Sequence, residues 1–194
     1  DMDATLKGMN LNKENVLNII KDIIAIDIND GVRYEIFSIK DIRLEKKYPG
    51  FKIHLLAYLE DLRTHLMIDI TTGDVITLKE IDYEYNAIFD NETINIMSYN
   101  IETIIAEKFE AIISRNVINS RMKDYYDLYM FTILKWDNVN KNLLKIAINN
   151  TCNNRKTTNY LNDSSNYINL ISKNEDLKKL WKEYQNKNVY AKNI

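Results

Sequence analysis

The sequence predicts an α+β protein, in which a mixed sheet with helices over residues 1–95 precedes an all-helical subdomain over residues 96–194. Stretches of alternating apolar and polar residues lie in the first half of the chain, and this period of two is typical of strands. From Ile101 onward, apolar residues recur at helical spacing instead. With 194 residues and one cysteine, the chain is long enough to bury a substantial core and has no second cysteine for an internal disulfide.

The front part contains one predicted helix and three predicted strands. Asn12 is a suitable N-cap, and Val16 and Ile20 follow it at helical spacing. Asn29-Asp30-Gly31 and Tyr48-Pro49-Gly50 are typical turn sequences, and alternating apolar residues follow each of them. The predicted elements are a helix over 13–26 and strands over 32–43, 51–59 and 64–70.

The back part is predicted to be helical, and its boundary with the front part is expected near residues 90–98. Asn119 or Ser120 is a suitable N-cap for the second of its helices. The polar stretch Asn153–Asn166 predicts a loop with some local structure. The predicted helices cover 101–115, 120–135, 140–150 and 175–186.

Charge is distributed unevenly along the chain. The net charge of −2 argues by itself against a polynucleotide-binding protein. Residues 1–134, however, carry 15 basic and 23 acidic residues, a balance of −8, whereas residues 135–194 carry 11 and 5, a balance of +6. Either the uneven surface charge has no function, or the acidic part binds cations and the basic part binds anions. A single cysteine, Cys152, fits a reducing compartment, so a cytoplasmic protein is expected. No apolar run is long enough to span a membrane, and no signal peptide is evident.

Three aspartates on predicted extended segments are candidate metal ligands. Asp1 and Asp3 are two residues apart, so their side chains point to the same face of an extended chain. Asp69 interrupts an apolar strand, where a carboxylate is costly to bury unless it is paired or bound to a metal. Oxygen ligands of this kind suit Mg²⁺. The alternatives are a solvated terminus for the first two and an outward-facing position on a half-exposed sheet for Asp69.

A lysine and an aspartate on predicted helices are candidates for anion binding. Lys108 lies in the middle of the apolar stripe that Ile105 and Ile112 help to form. Such a lysine either extends to the rim of the core or directs its ammonium group towards bound anions. Asp124 falls in the first turn of the next helix, where the helix dipole favours an acid, and it would position Lys108 if the two are close in space. Carboxylates that hold Mg²⁺, together with a lysine that neutralises a triphosphate, describe phosphoryl or nucleotidyl transfer.

These residues lie in segments with a recognisable family pattern. The chain resembles the AbiEii-type nucleotidyltransferase toxin family, within the DNA polymerase β-like nucleotidyltransferase superfamily. The resemblance covers nearly the whole chain, and the KDYYDLY block that follows an AEK helix is its most specific part. The matching segments are DMDATLKG at 1–8, MIDITTGD at 67–74, ETIIAEKFEAIISR at 102–115 and NSRMKDYYDLYMF at 119–131.

The resemblance implies a nucleotidyltransferase-type mixed sheet and assigns roles to individual residues. It also implies that the family's Gly-Ser phosphate-binding block lies upstream of Asp1, so the chain is expected to be an incomplete enzyme with an incomplete sheet. The residues with implied roles are Asp1, Asp3 and Asp69 as catalytic metal ligands, Lys108 as the helix lysine that binds substrate, Asp124 as the functional acid of the last motif, and Arg121 and Lys123 as further substrate-binding residues.

The implied function is that of a type IV toxin–antitoxin toxin in abortive infection and phage defence. Such proteins transfer a nucleotide from an NTP, with Mg²⁺ as cofactor, and the implied acceptor is RNA, in particular tRNA. The implied partner is a DNA-binding antitoxin encoded beside the toxin. The basic tail is predicted to contact RNA phosphates through Lys178, Lys179 and Lys182.

Two other functions remain open. A non-catalytic nucleotide-binding or interaction module that has kept the fold is favoured by the absent Gly-Ser block. A two-metal nuclease would use similar carboxylates, although the spacing of the acids and the KDYYD helix match transferases better.

Overall fold

The computed structural model of the chain describes residues 2–42, 50–88 and 92–192. Its contacts divide the chain into two compact units, Asp1–Asp74 and Val75–Ile194. This division lies earlier than the expected boundary, so a hairpin within residues 81–98 belongs to the second unit. A mixed sheet in the front part and helices in the C-terminal part confirm the predicted α+β class.

The first unit is a four-stranded mixed sheet with one helix. In the sheet order β1-β4-β3-β2, β1 runs parallel to β4 and the other neighbours are antiparallel. Only two residues connect β3 to β4, and Glu60 at this turn has φ +50°, which allows β4 to begin two residues earlier than expected. The elements are β1 (Met2–Thr5), α1 (Lys13–Ile24), β2 (Val32–Ile42), β3 (Gly50–Leu59) and β4 (Leu62–Thr71).

The core of the first unit lies between α1 and one face of the sheet. Asn12 caps α1 as predicted, because its Oδ1 accepts a hydrogen bond from the Asn15 N–H at 2.8 Å. Val16 and Ile20 are almost fully buried against a cluster that includes Ile53 of β3. The polar residues of β3 and β4 alternate with these buried positions and therefore occupy the opposite face of the sheet.

The second unit begins with a hairpin that the sequence analysis did not predict. The hairpin consists of β5 (Ile81–Asn86) and β6 (Thr93–Ser98), which pair antiparallel. Its apolar residues alternate with polar ones, with Tyr83 opposite Ile96 and Tyr85 opposite Ile94. Every residue of β5 is exposed. Within residues 92–192, six α-helices follow: α2 (Ile101–Arg115), α3 (Met122–Leu134), α4 (Lys141–Arg155), α5 (Thr158–Asn162), α6 (Ser164–Lys173) and α7 (Glu175–Lys187).

Two predictions for the helices were wrong in detail. The stretch Asn153–Asn166 is not a loop, since α4 continues to Arg155 and the short helices α5 and α6 follow. The cap of α3 is Arg121 rather than Asn119 or Ser120, although Asn119 Oδ1 accepts a hydrogen bond from the Arg121 N–H at 3.2 Å.

Acidic residues of α2 that lie outside its apolar stripe form ion pairs and a hydrogen bond with α4. Arg155 at the end of α4 places Nη1 2.7 Å from Glu110 and Nη2 2.9 Å from Glu107. At the other end, Glu102 accepts a hydrogen bond from the Asn140 N–H at 2.8 Å. Glu102 and Glu110 are buried, and these partners satisfy the carboxylates that α4 covers.

A helix that crosses a membrane must be both long and apolar. Among the described residues, no helix combines the length and the apolar character that crossing a bilayer requires.

Candidate functional site

Two of the predicted metal ligands lie side by side in the sheet of the first unit. Asp3 of β1 is in register with Asp69 of β4, and these two strands are parallel neighbours. Paired positions place their side chains on the same face, from backbones about 4.8 Å apart. Asp3 is exposed and Asp69 is half-buried. Asp1 lies outside the described residues.

Asp69 has a lysine partner that the sequence analysis did not name. Lys52 of β3 is in register with Asp69, and its Nζ lies 2.7 Å from Oδ1 and 2.9 Å from Oδ2. Oδ1 is buried and has no hydrogen bond of good geometry among the described residues, despite this short distance. Asp3, Asp69, Lys52 and Lys40 thus form a row of charged residues across the four strands.

The carboxylate pair fits a hard cation. A buried carboxylate oxygen without a well-directed hydrogen bond, next to a second carboxylate on the same sheet face, provides oxygen ligands of the kind that Mg²⁺ binds. Within residues 2–42, 50–88 and 92–192, no three histidine, cysteine or acidic side chains are grouped as a metal site. The described carboxylates of this row are Asp3 and Asp69, one on each of two neighbouring strands.

Lys108 is held by two aspartates in the second unit. Asn100 caps α2 through a 2.8 Å hydrogen bond from the Thr103 N–H, and Lys108 lies two turns further along. Lys108 Nζ lies 2.7 Å from Asp127 Oδ2 and 3.5 Å from Asp124 Oδ1. The lysine side chain is only 21% exposed, so the two carboxylates of α3 compensate a largely buried positive charge.

Two exposed cations extend this cluster towards solvent. Arg121 Nε lies 3.3 Å from Asp124 Oδ2, and Lys123 Nζ lies 2.9 Å from Asp127 Oδ2. Their side chains are 62% and 69% exposed. We call the five residues Lys108, Arg121, Lys123, Asp124 and Asp127 the lysine cluster. Its three cations exceed its two carboxylates by one charge, so the cluster can still attract an anion.

Asp127 is ionised at neutral pH. Burial raises the pKa of its carboxyl group, but hydrogen bonds from Lys108 and Lys123, together with their positive charges, outweigh burial. The pKa of Asp127 therefore lies below its ordinary value.

Asp127 and Lys52 are the site residues that sequence reasoning missed. Asp127 follows Asp124 by three residues and Lys123 by four, a spacing that puts all three on one side of a helix. Lys52 lies between buried residues of β3, so the alternation assigns it to the polar face of the sheet. Its pairing with Asp69 depends on the register of two strands, which the sequence does not reveal.

Comparisons with known proteins give one result. No curated protein and no solved structure matches the chain. The family model described as nucleotidyl transferase AbiEii toxin, type IV TA system, matches residues 1–194. The chain therefore belongs to the AbiEii nucleotidyl transferase toxin family of type IV toxin–antitoxin systems.

Proposed function

We propose that the chain is a magnesium-dependent nucleotidyltransferase that transfers a nucleotide from an NTP to an RNA acceptor, in particular tRNA. The observation that supports this most is the pairing of Asp3 with Asp69 on neighbouring parallel strands. Family membership supplies the reaction class, and the paired carboxylates supply ligands for the metal.

The carboxylates of the first unit hold the metal in this proposal. Asp3 and Asp69, together with Asp1, would hold Mg²⁺, which would supply charge stabilisation for phosphoryl chemistry when bound. Lys52 orients the Asp69 carboxylate, with Nζ 2.7 Å from Oδ1. If Asp69 binds a cation instead, the Lys52 ammonium group on the same sheet face is available to pair with a phosphate group.

The cations of the second unit neutralise phosphate in this proposal. A bond forms between the acceptor hydroxyl oxygen and the α-phosphorus while the bond to pyrophosphate breaks, and the hydroxyl proton leaves to solvent. Within the second unit, Lys108, Arg121 and Lys123 attract phosphate groups, while Asp124 and Asp127 fix the position of Lys108. Such transfer depends mainly on positioning and charge.

Family membership supports a proposal for the biological setting. We propose that the chain acts in the cytoplasm, where NTPs and tRNA are found, and that it serves in abortive infection against phage. We further propose that a DNA-binding repressor encoded beside it acts as its antitoxin.

One observation favours a second candidate, a non-catalytic nucleotide-binding module. The Lys52 ammonium already provides a cation at Asp69, 2.7 Å from Oδ1. If Lys52 remains there permanently, the carboxylate pair is structural and the lysine cluster binds nucleotide without reaction.

An RNA-labelling experiment distinguishes the two candidates. The full-length protein is incubated with Mg²⁺, total cellular RNA and each α-labelled NTP in turn. We expect RNA to be labelled with at least one NTP, and Asp3→Asn or Asp69→Asn to reduce the rate at least about 100-fold. Asp61→Asn, an exposed acid of the same unit, is the matched control and should leave the rate unchanged.

The lysine cluster is tested in the same assay. Lys108→Met should reduce the rate, whereas Lys141→Met, an exposed lysine of α4, should not. A full-length protein that binds Mg²⁺–NTP but labels no RNA would be the non-catalytic module, and a full-length protein that does neither would contradict both candidates.

A further inference from the structure

A cavity with an aromatic lining lies between α3, α6 and α7 in the second unit. Its volume is about 720 Å³, within the range of small-ligand pockets. Tyr125 and Tyr129 of α3 and Trp181 of α7 line it. Trp181 is stacked on Tyr184, with ring centres 5.6 Å apart and an angle of 21° between the planes, so its ring has a defined orientation.

The same cavity is bordered by positive charge. Lys178, Lys179 and Lys182 of α7 line it. Among the described residues that line it, Glu175 alone is acidic, which leaves an excess of two positive charges. Glu175 lies 2.7 Å from Lys178, but both side chains are largely exposed, so water screens this pair. A polyanion is therefore favoured at the rim.

We propose that this cavity binds an unpaired nucleotide of an RNA strand, with the base against Tyr129 and Trp181 and the flanking phosphates against the three lysines. Aromatic rings and lysines together are the combination that binds single-stranded nucleic acid. A peptide of acidic residues alone, such as polyglutamate, would use the lysines but has no aromatic ring to stack on Tyr129 and Trp181. The proposal rests on the proposed function only in taking the RNA acceptor as the ligand.

Stacking and charge make separate, measurable contributions. Loss of one base–aromatic contact weakens binding about 5- to 150-fold. Loss of a phosphate contact lowers the salt dependence, by about 0.7 in the slope of log affinity against log salt for a single strand. The two kinds of variant should therefore have different signatures.

The test measures binding of a fluorescent single-stranded RNA dodecamer to the chain, without NTP or Mg²⁺, by anisotropy at several salt concentrations. We expect Tyr129→Ala to weaken binding about 5- to 150-fold with the salt slope unchanged. The triple variant K178E/K179E/K182E should reduce the magnitude of the slope by about 2. An abasic strand of equal length should bind as weakly to the unmodified chain as the RNA binds to Tyr129→Ala.

Matched controls come from the same chain. Tyr83→Ala removes a tyrosine of similar exposure on the hairpin, and Lys187→Glu reverses a lysine of α7 outside the cavity. Both variants should keep the difference in affinity between the intact and the abasic strand. Lys187→Glu should change the slope of log affinity against log salt by less than about 1. Circular dichroism confirms that each variant is folded.

Three outcomes would overturn the proposal. They are equal binding of the abasic strand, unchanged binding by Tyr129→Ala, and binding of polyglutamate as tight as that of RNA. Failure of the proposed function has a different signature: the strand binds with the expected dependences, but no NTP labels RNA. If RNA is labelled while Tyr129→Ala and the lysine variant bind normally, the cavity assignment alone is wrong.

Discussion

Replacement of Asp127 by asparagine tests how the lysine cluster is held together. The substitution removes the carboxylate 2.7 Å from Lys108 Nζ and leaves this largely buried ammonium with Asp124 at 3.5 Å. Hydrogen bonds to charged groups contribute about 1.5–3 kcal/mol. The second partner, Lys123, is 69% exposed and adds at most about 0.5 kcal/mol. We expect the free energy of unfolding to fall by about 2 kcal/mol at pH 7.

The pH dependence of this effect has a definite sign. The pKa of Asp127 in the folded protein lies below its ordinary value, because Lys108 and Lys123 outweigh the effect of burial. The stabilisation is therefore complete above the unfolded pKa of about 3.9 and is lost as the pH falls through the folded pKa. Asparagine does not titrate, so the difference between the two proteins should be constant from pH 7 to about 5 and shrink below about 4.

Urea unfolding followed by tryptophan fluorescence measures this difference. Both tryptophans, Trp136 and Trp181, belong to the second unit and report on it directly. Asp137→Asn, an exposed acid in the same unit, is the control and should change the free energy of unfolding by less than about 0.5 kcal/mol. The reasoning is refuted if Asp127→Asn costs less than about 0.5 kcal/mol at pH 7, or if its cost grows in acid.

Three further substitutions test the packing of the units. Arg155→Ala removes the partner 2.7 Å from Glu110, whose side chain is only 5% exposed. The free energy of unfolding in urea should fall by about 3 kcal/mol, and a fall of less than about 1 kcal/mol would contradict this reasoning. Asn100→Ala removes the cap of α2 and should cost about 1–2 kcal/mol in the same assay, while Asn100→Asp retains most of the stability. Gly50→Ala places a Cβ 2.9 Å from Ile42 Cγ1 and should lower the free energy of unfolding by about 1–3 kcal/mol. The amides of β3 should then exchange hydrogen faster, and unchanged exchange would show that the sheet accommodates the Cβ.

The elements that the sequence predicted best are those with a strong local pattern. The limits of α2 at Ile101 and Arg115 agree with the expected ones, and the apolar stripe of this helix is buried at Ile105 and Ile112 as predicted. Asn12 caps α1 as predicted, although this helix ends at Ile24 rather than at residue 26. Periodicity and capping are local properties, so they can be read without knowledge of the fold.

The elements that the sequence predicted poorly depend on distant contacts. The end of α4 looks like a polar loop in the sequence, but Arg155 reaches Glu110, 45 residues earlier, and Thr151 and Cys152 are buried. The hairpin β5–β6 is the exception, because the alternation at Tyr83 and Tyr85 is a local strand signal. Polar residues do not reveal that another helix covers them.

The candidate site shows the same division. Asp3, Asp69, Lys108 and Asp124 were identified from residue type and local pattern, and their catalytic roles stay predictions. The partners Lys52 and Asp127 emerged only from the structure, which pairs them with Asp69 and Lys108 at 2.7 Å.

The sequence by itself determined the α+β class, the family and the chemical character of the site, because periodicity, motif spacing and residue type are all written along the chain. Only the tertiary structure decided that Asp3 stands beside Asp69, and that Asp127 is closer to Lys108 than Asp124 is. Strand register and helix packing select among several chemically equivalent partners, and a difference of one position changes the face on which a side chain lies. Charges far apart in the sequence therefore acquire partners only when the chain folds.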